Sequence, residues 1–291
     1  MQRRRLVRVP ASTANLGPGF DAFAAALALH VELEVVETGS FAVETDLAVA
    51  RDRRNLAVRG FAALHPPDDF TFAIRSTVPL SGGLGSSAAA YVAGLLAADS
   101  MFELDADVLA EATALEGHPD NAAAALMGGV VICVPGGPVR LAPPPELEAV
   151  LVVPQEPVRT REARQALPRE VPMADAVHNL AHASLLTLGL ERGDWDMVSR
   201  SLSDRLHQPY RAHLYPRSAA LLERARELGA LGATVSGAGP TVMVWSLFQQ
   251  TGGLTETLRR ETDGWADVMR VPFEPHGAAV RAGGRQRGHR R

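Results

Sequence analysis

The stretch VPLSGGLGSSAAAYVAGLL, residues 78–96, decides how this chain is read. Between Val78 and Ser87 it holds three glycines and three serines, and from Ser86 it turns alanine- and leucine-rich, long enough for several helical turns. Just upstream, Phe70, Phe72 and Ile74 alternate as in a half-buried strand. A glycine-rich turn therefore joins a strand to a helix N-terminus. Such an end exposes unpaired N–H groups and a partial positive charge. Glycine lets the preceding backbone curl until successive amides point at one anion. Ser81, Ser86 and Ser87 add hydroxyls that can contact phosphate or magnesium. Taken alone, the loop leaves two readings open: a polyphosphate cradle without a lysine, or a strand–helix connection whose serines cap the helix.

Composition narrows the chemistry. All 29 basic residues are arginine and none is lysine. That excludes a Walker A loop, a protein-kinase strand lysine and a pyridoxal-phosphate Schiff base. The 291-residue chain carries a net charge of −4, with 46% apolar and 21% charged residues, so it reads as an ordinary globular protein of two subdomains or one large α/β unit. The acidic balance argues against nucleic-acid and membrane partners, and only the two ends, MQRRR and RAGGRQRGHRR, are basic. Cys133 is the sole cysteine, which rules out an internal disulfide and a multi-cysteine zinc site. It lies in an apolar stretch and reads as core. With no apolar run of membrane-spanning length, and an opening segment that moves into strand alternation, a cytoplasmic location is expected.

Further along, the pattern predicts strands at RRLVRV and at HVELEVVE, where Val31, Leu33 and Val35 share a face. DADVLAEATALEG reads as a helix capped by Asp105 or Asp107 and stopped by Gly117. HPDNAAAALMGG opens another, capped by Asp120 or Asn121, before the buried strand VVICV. Pro143–Pro145 mark either a boundary or a surface loop. Helices are expected around 161–167, 173–191, 195–206 and 217–229, then two strand arms about a tight turn at Gly237–Pro240.

Two other stretches bear on the glycine loop. PASTANLGPGFDAFAAAL, from Pro10, reads as a polar loop after a strand, with Asn15 and Asp21 able to bond two partners each or simply to form an Asx-turn and a cap. EGHPDNAAAA crowds Glu116, His118, Asp120 and Asn121 before a helix, and capping explains Asp120 but neither Glu116 nor His118. Together these motifs resemble the galactokinase–homoserine kinase–mevalonate kinase–phosphomevalonate kinase (GHMP) superfamily. Its signature Pro-x3-Gly-Leu-Gly-Ser-Ser-Ala appears as Pro79–Ala88, and its third motif looks like GATVSGAGPTV, Gly232–Val242. The pairing of ASTANLGPGFD with EGHPDN, with TREAR, HQPYR and EPHGAAV, is most similar to the homoserine kinase family.

The resemblance implies an α+β fold of two domains: residues 1–145, similar to the second domain of ribosomal protein S5, and residues 146–280, ferredoxin-like. A basic tail, 281–291, is expected to be disordered. It also implies transfer of the γ-phosphoryl of Mg-ATP to the hydroxyl of L-homoserine, a step of threonine synthesis, by an enzyme that could be a homodimer. Pro79, Ser81, Gly82, Gly83, Leu84, Gly85, Ser86 and Ser87 would hold the triphosphate, with Asn55 near the adenine. Ser87 and Glu116 would hold Mg2+, a metal that favours a few hard oxygens beside phosphate and water. Many family members carry Glu-x-Glu-Gly where this chain has Ala114-Leu-Glu-Gly117, so the metal-ligand glutamate is missing if it is the first of the two. Asp21 would take the substrate ammonium, Arg164 and Arg211 its carboxylate, and Asn15, Asn121 and Gly237 would line the substrate. Asp120 is a candidate base and His118 a phosphate or substrate contact. The alternatives are a sister kinase acting on mevalonate, diphosphocytidyl-methylerythritol or shikimate, a non-catalytic ligand binder, or an RNA-binding module, which the charge balance disfavours.

Overall fold

The computed structural model describes residues 3–80 and 82–282. Two sheets organise it. In chain order the first half comprises β1 (Arg4–Ala14), β2 (Phe23–Glu37), β3 (Ala42–Glu44), α1 (Leu56–Leu64), β4 (Phe70–Ser76), α2 (Ser86–Phe102), α3 (Val108–Glu116), α4 (Asp120–Met127), β5 (Val130–Ile132) and β6 (Val139–Leu141). The second half comprises β7 (Leu147–Pro154), α5 (Thr160–Gln165), α6 (Met173–Arg192), α7 (Trp195–Ser201), α8 (Gln208–Arg211), α9 (Pro216–Arg224), β8 (Gly232–Val235), β9 (Val242–Leu247), α10 (Thr251–Glu261), β10 (Ala266–Pro272) and β11 (Ala279–Ala282).

The first sheet runs β11-β1-β2-β4-β3, with β5 and β6 attached at the other end of β2. β2 is long enough for this double use: Phe23–Ala25 pair with β5, and Val31–Glu37 with β4. The alternation of Val31, Leu33 and Val35, and of Phe70, Phe72 and Ile74, does place these side chains in the core. β1 is longer than RRLVRV suggests. Pro10–Ala14, read as loop, continues the ladder to β2 across an irregularity between Pro10 and Ala11, so only the residues from Asn15 on form the loop. Polar Ser12 and Thr13 masked this, because they are buried strand residues without an alternating pattern.

The second sheet has the order β10-β7-β9-β8, all neighbours antiparallel. With helices between β7 and β8 and α10 between β9 and β10, this is the β-α-β-β-α-β order of a ferredoxin-like unit. Its central strands β7 and β9 read as nearly continuous apolar runs because both faces are covered. Val150, Val152, Val242 and Val244 pack on Leu221, Leu254 and Leu258 of α9 and α10. The alternate residues Ala149, Leu151, Val153, Met243 and Trp245 join the core of the first sheet. The chain changes sheets across Pro143–Pro145 and returns through β11, which pairs with β1. Arg281 and Ala282 of the expected basic tail lie in β11, and 283–291 fall outside the described residues.

Other expectations shift locally. The helix expected over 195–206 ends at Ser201, because Asp204 turns its carboxylate onto the N–H groups of Leu206, His207 and Gln208 and starts α8 instead. The helix expected over 217–229 stops at Arg224. VVICV is a strand only over Val130–Ile132, and half-buried Cys133 follows it, its thiol pushed up to about 11 by burial. No helix among the described residues is long and apolar enough to cross a membrane.

Candidate active site

The glycine loop sits between β4 and α2, as the pattern predicts. Gly85 caps α2 in the left-handed region, φ 64°, and no side chain among the described residues caps the helix's first N–H groups. A Cβ at Gly85 would run into the Ser12 hydroxyl, and one at Gly83, φ 79°, into the Ser236 carbonyl. Only glycine lets the loop close against both sheets at once. The result is an uncapped helix N-terminus facing a cleft of about 320 Å³.

Gly83, Leu84, Gly85, Ser86 and Ser87 line this cleft. Pro79 and Gly82 do not; Gly82 is buried beside Thr241 instead, and Ser81 lies outside the described residues. Asn55 does not line it either. Its amide caps α1 by accepting from Ala57 N–H at 3.0 Å and donates to the Ala50 carbonyl at 2.8 Å, which holds the preceding loop. That loop and the start of α1 supply the apolar wall Ala48, Val49 and Leu56. Small aliphatic residues in a segment without periodicity carry no chemical signal, so the sequence left this wall unread.

At the end of α3, Glu116 faces the glycine loop: Ser87 Oγ donates to its Oε2 at 3.1 Å. Burial pushes the Glu116 carboxyl above the usual glutamate range, partly countered by Ser87 and by the His118 charge. Ala114 is exposed and does not line the cleft, so the position where the family pattern has its first glutamate points away from Ser87. The partners of Glu116 and His118 are thus plain in the structure. His118 Nδ1 stands 2.6 Å from Asp120 Oδ1, a hydrogen bond that raises the imidazole above its ordinary value. The helix cap differs from expectation. Pro119 precedes α4, and Asp120 is its first residue, accepting the Asn121 N–H at 2.7 Å rather than capping from outside. Asn121 Oδ1 accepts from Ser12 Oγ at 2.8 Å, a contact invisible while Ser12 was read as loop.

The opposite wall is the loop after β1. Asn15, Leu16 and Asp21 all have positive φ, strain that clusters where structure is over-determined. Asn15 Oδ1 accepts the Asp21 N–H at 3.0 Å and its amide donates to the Gly237 carbonyl at 2.7 Å. Gly237 belongs to the β8–β9 turn, so the two sheets meet at this residue. Asp21 and Arg164 were expected to take separate substrate charges, but the structure pairs them with each other. Two parallel hydrogen bonds of 3.0 and 2.9 Å join them, and both side chains are more than one-third exposed to the cleft. Arg211 is different: it is 1% exposed and has no carboxylate within ion-pair distance among the described residues. Burial works against its charge. Thr160 of α5 also lines the cleft and was not expected there.

Comparison with known proteins places this geometry. The model of the GHMP kinases N terminal domain matches residues 53–129, and that of the GHMP kinases C terminal region residues 186–251. Homoserine kinase of Moorella thermoacetica is 40% identical over 256 residues, covering 82% of this chain and 86% of that protein. Homoserine kinase of Deinococcus radiodurans is 42% identical over 271 residues, covering 87% and 86%. The crystal structure of homoserine kinase from Cytophaga hutchinsonii superposes with a TM-score of 0.84 at 26% identity, covering 96% of this chain and 98% of that one. With these likenesses running across both sheets and the cleft between them, the chain belongs to the homoserine kinases of the GHMP kinase family.

Proposed function

We propose that this chain transfers the γ-phosphoryl of ATP to the side-chain hydroxyl of L-homoserine, giving O-phospho-L-homoserine and ADP for threonine synthesis. The observation that carries the choice of acceptor is the charge arrangement on one wall. A part-exposed Asp21–Arg164 pair stands in the same cleft as Arg211, a buried cation with no carboxylate at ion-pair distance among the described residues. A buried guanidinium without its anion is costly, and an amino-acid carboxylate supplies one. On this reading the substrate ammonium meets Asp21 while its carboxylate draws on Arg164 and Arg211. The zwitterion replaces one protein ion pair with two. Asn15 and Asn121 fix its orientation, and Gly237 backs it. A mevalonate or shikimate acceptor has no ammonium and would break the Asp21–Arg164 pair with nothing for Asp21.

The triphosphate is held by the N–H groups of the α2 N-terminus and by the Ser86 and Ser87 hydroxyls. Phosphoryl transfer has a loose transition state, so positioning and charge neutralisation account for most of the rate. Mg2+, when bound, supplies that neutralisation. Ser87 and Glu116 fit it, being a hydroxyl and a carboxylate that face each other beside the phosphate loop. Asp120 uses Oδ1 for His118 and Asn121, and its Oδ2 is the oxygen left to receive the acceptor hydroxyl's proton. His118 holds that carboxylate in place.

ADP release coupled to a reporter reaction tests this, with Mg-ATP and L-homoserine, mevalonate, shikimate or L-threonine as acceptor. Turnover dependent on homoserine is expected. Equal background with every acceptor, from folded protein that still binds ATP, would leave only a ligand-binding role.

A further inference from the structure

Arg211 holds its charge in the cleft wall with no carboxylate at ion-pair distance among the described residues, so other groups must keep the guanidinium in reach of an anion. Its hydrogen bonds among the described residues run to two carbonyls and an imidazole nitrogen. Nε–H donates to the Ala163 carbonyl at 3.0 Å, and NH1 donates to the Gly237 carbonyl at 3.3 Å and to His207 Nδ1 at 3.2 Å. His207 is fully buried, and its Nε2 stands 2.9 Å from the Gly17 carbonyl. A guanidinium only donates and a carbonyl only accepts. These two partners leave a single assignment: Nδ1 bare, Nε2 carrying the proton, the ring neutral.

The ring is itself fixed on several sides. Phe20 stacks on it at 5.3 Å, and the same Phe20 ring lies 5.5 Å from the Arg211 guanidinium. Asp204 accepts the N–H groups of Leu206, His207 and Gln208 at 2.9, 3.0 and 2.7 Å, and the Asn179 amide at 2.7 Å. Asn179 also donates to the Pro18 carbonyl at 3.0 Å. The Gly17–Phe20 turn and the start of α8 are thereby locked together. Asp204, 3.5 Å from Nε2, is engaged by four N–H donors. The charged groups facing the ring are Asp204 and Asp21, which favour a second proton, and Arg211, which opposes it; burial opposes it most strongly and the balance keeps the ring neutral.

We propose that His207 is a positioning residue for the substrate carboxylate: the neutral ring fixes Arg211, and a second proton on Nδ1 sets N–H against N–H and frees the guanidinium. This rests on the amino-acid acceptor proposed above and adds to it a residue that acts through another. Its consequence is that affinity for the acceptor, not for ATP, fails on acidification.

The test is steady-state kinetics on the full chain, varying homoserine and ATP separately, for wild type, His207→Asn and His207→Leu. The asparagine oxygen stands near where Nδ1 stood and keeps an acceptor for Arg211; leucine keeps only volume. For His207→Leu, KM for homoserine is expected to rise about 10- to 100-fold, the loss of one hydrogen bond to a charged group, while KM for ATP holds within about twofold. His207→Asn should recover most of that loss. In wild type, KM for homoserine should climb as pH falls below the ordinary imidazole range, because the ring's pKa is lowered and its neutral form persists through that range. His207→Asn should lack this climb, having no proton to gain. Equal rises in both KM values, or superimposable acid profiles for wild type and His207→Asn, would overturn the proposal. If His207→Leu does not fold, the two acid profiles decide alone. A wild type that never turns over homoserine overturns the acceptor reading itself, and this role with it.

Discussion

Glu116 is a carboxylate whose ionisation opposes folding. Burial raises its pKa above the ordinary glutamate range, and Ser87 and His118 only partly offset the loss of solvation. In acid it is neutral in both folded and unfolded chains and has no effect. As pH rises through the unfolded value, the unfolded chain loses its proton first, so the native state is penalised; the penalty is complete above the raised native value. Glu116→Gln should therefore melt higher than wild type at neutral pH, with the gain vanishing in acid. It should also lose phosphoryl transfer, because an amide cannot supply the carboxylate oxygen proposed for Mg2+. Thermal melts across pH, in buffer without nucleotide, check the first part. A variant that melts lower at neutral pH would mean that the Ser87 bond outweighs desolvation. Stability given up at a carboxylate is a mark of a functional group rather than a structural one.

Among the elements, the glycine loop and α2 show what alternation and turn chemistry can convey. Gly85→Ala should strain φ 64° and drive a methyl into Ser12, which holds Asn121. The expected cost is about 1–3 kcal/mol in stability. A raised KM for ATP should accompany it, read by melting and by ATP titration; a variant with wild-type ATP affinity would show that the amides of this turn do not hold the triphosphate. This strand, turn and helix were all legible beforehand, because Phe70, Phe72 and Ile74 alternate and the glycines interrupt cleanly before Ser86. So was α3, whose Asp107 cap accepts from Ala110 and whose Gly117 ends it. Local signals failed where long-range contacts decide. Pro10–Ala14 is strand because β2 pairs with it, and Asn55 is a cap because Ala57 and Ala50 use its amide. Asp21 and Arg164 sit 143 residues apart, and nothing in either motif announces that they bind each other.

For the molecule as a whole, the cleft is also the joint between the two sheets. The β8–β9 turn is bonded into the first sheet: the Gly237 N–H donates to the Ala14 carbonyl at 3.1 Å, Asn15 donates to the Gly237 carbonyl at 2.7 Å, and Ser236 Oγ donates to the Gly83 carbonyl at 2.7 Å. A core shared by Leu33 of the first sheet and Leu151 and Trp245 of the second lies beneath. Neither half can open without exposing the other's apolar face. The chain should therefore unfold in one transition. Its three tryptophans, Trp195, Trp245 and Trp265, all lie in the second half, whereas far-ultraviolet circular dichroism reports both halves. The two signals should melt together. Ligands that bridge the cleft stabilise the joint by mass action, about 2.7 kcal/mol at a hundredfold excess over Kd, and should move both signals by the same amount. Asn15→Ala removes the donor to Gly237 and the acceptor for Asp21, so it should cost about 1–3 kcal/mol of stability and lower the common midpoint. Dichroism that falls before tryptophan emission changes, in wild type or in Asn15→Ala, would show two independent units touching at a cleft rather than one unit folded around it.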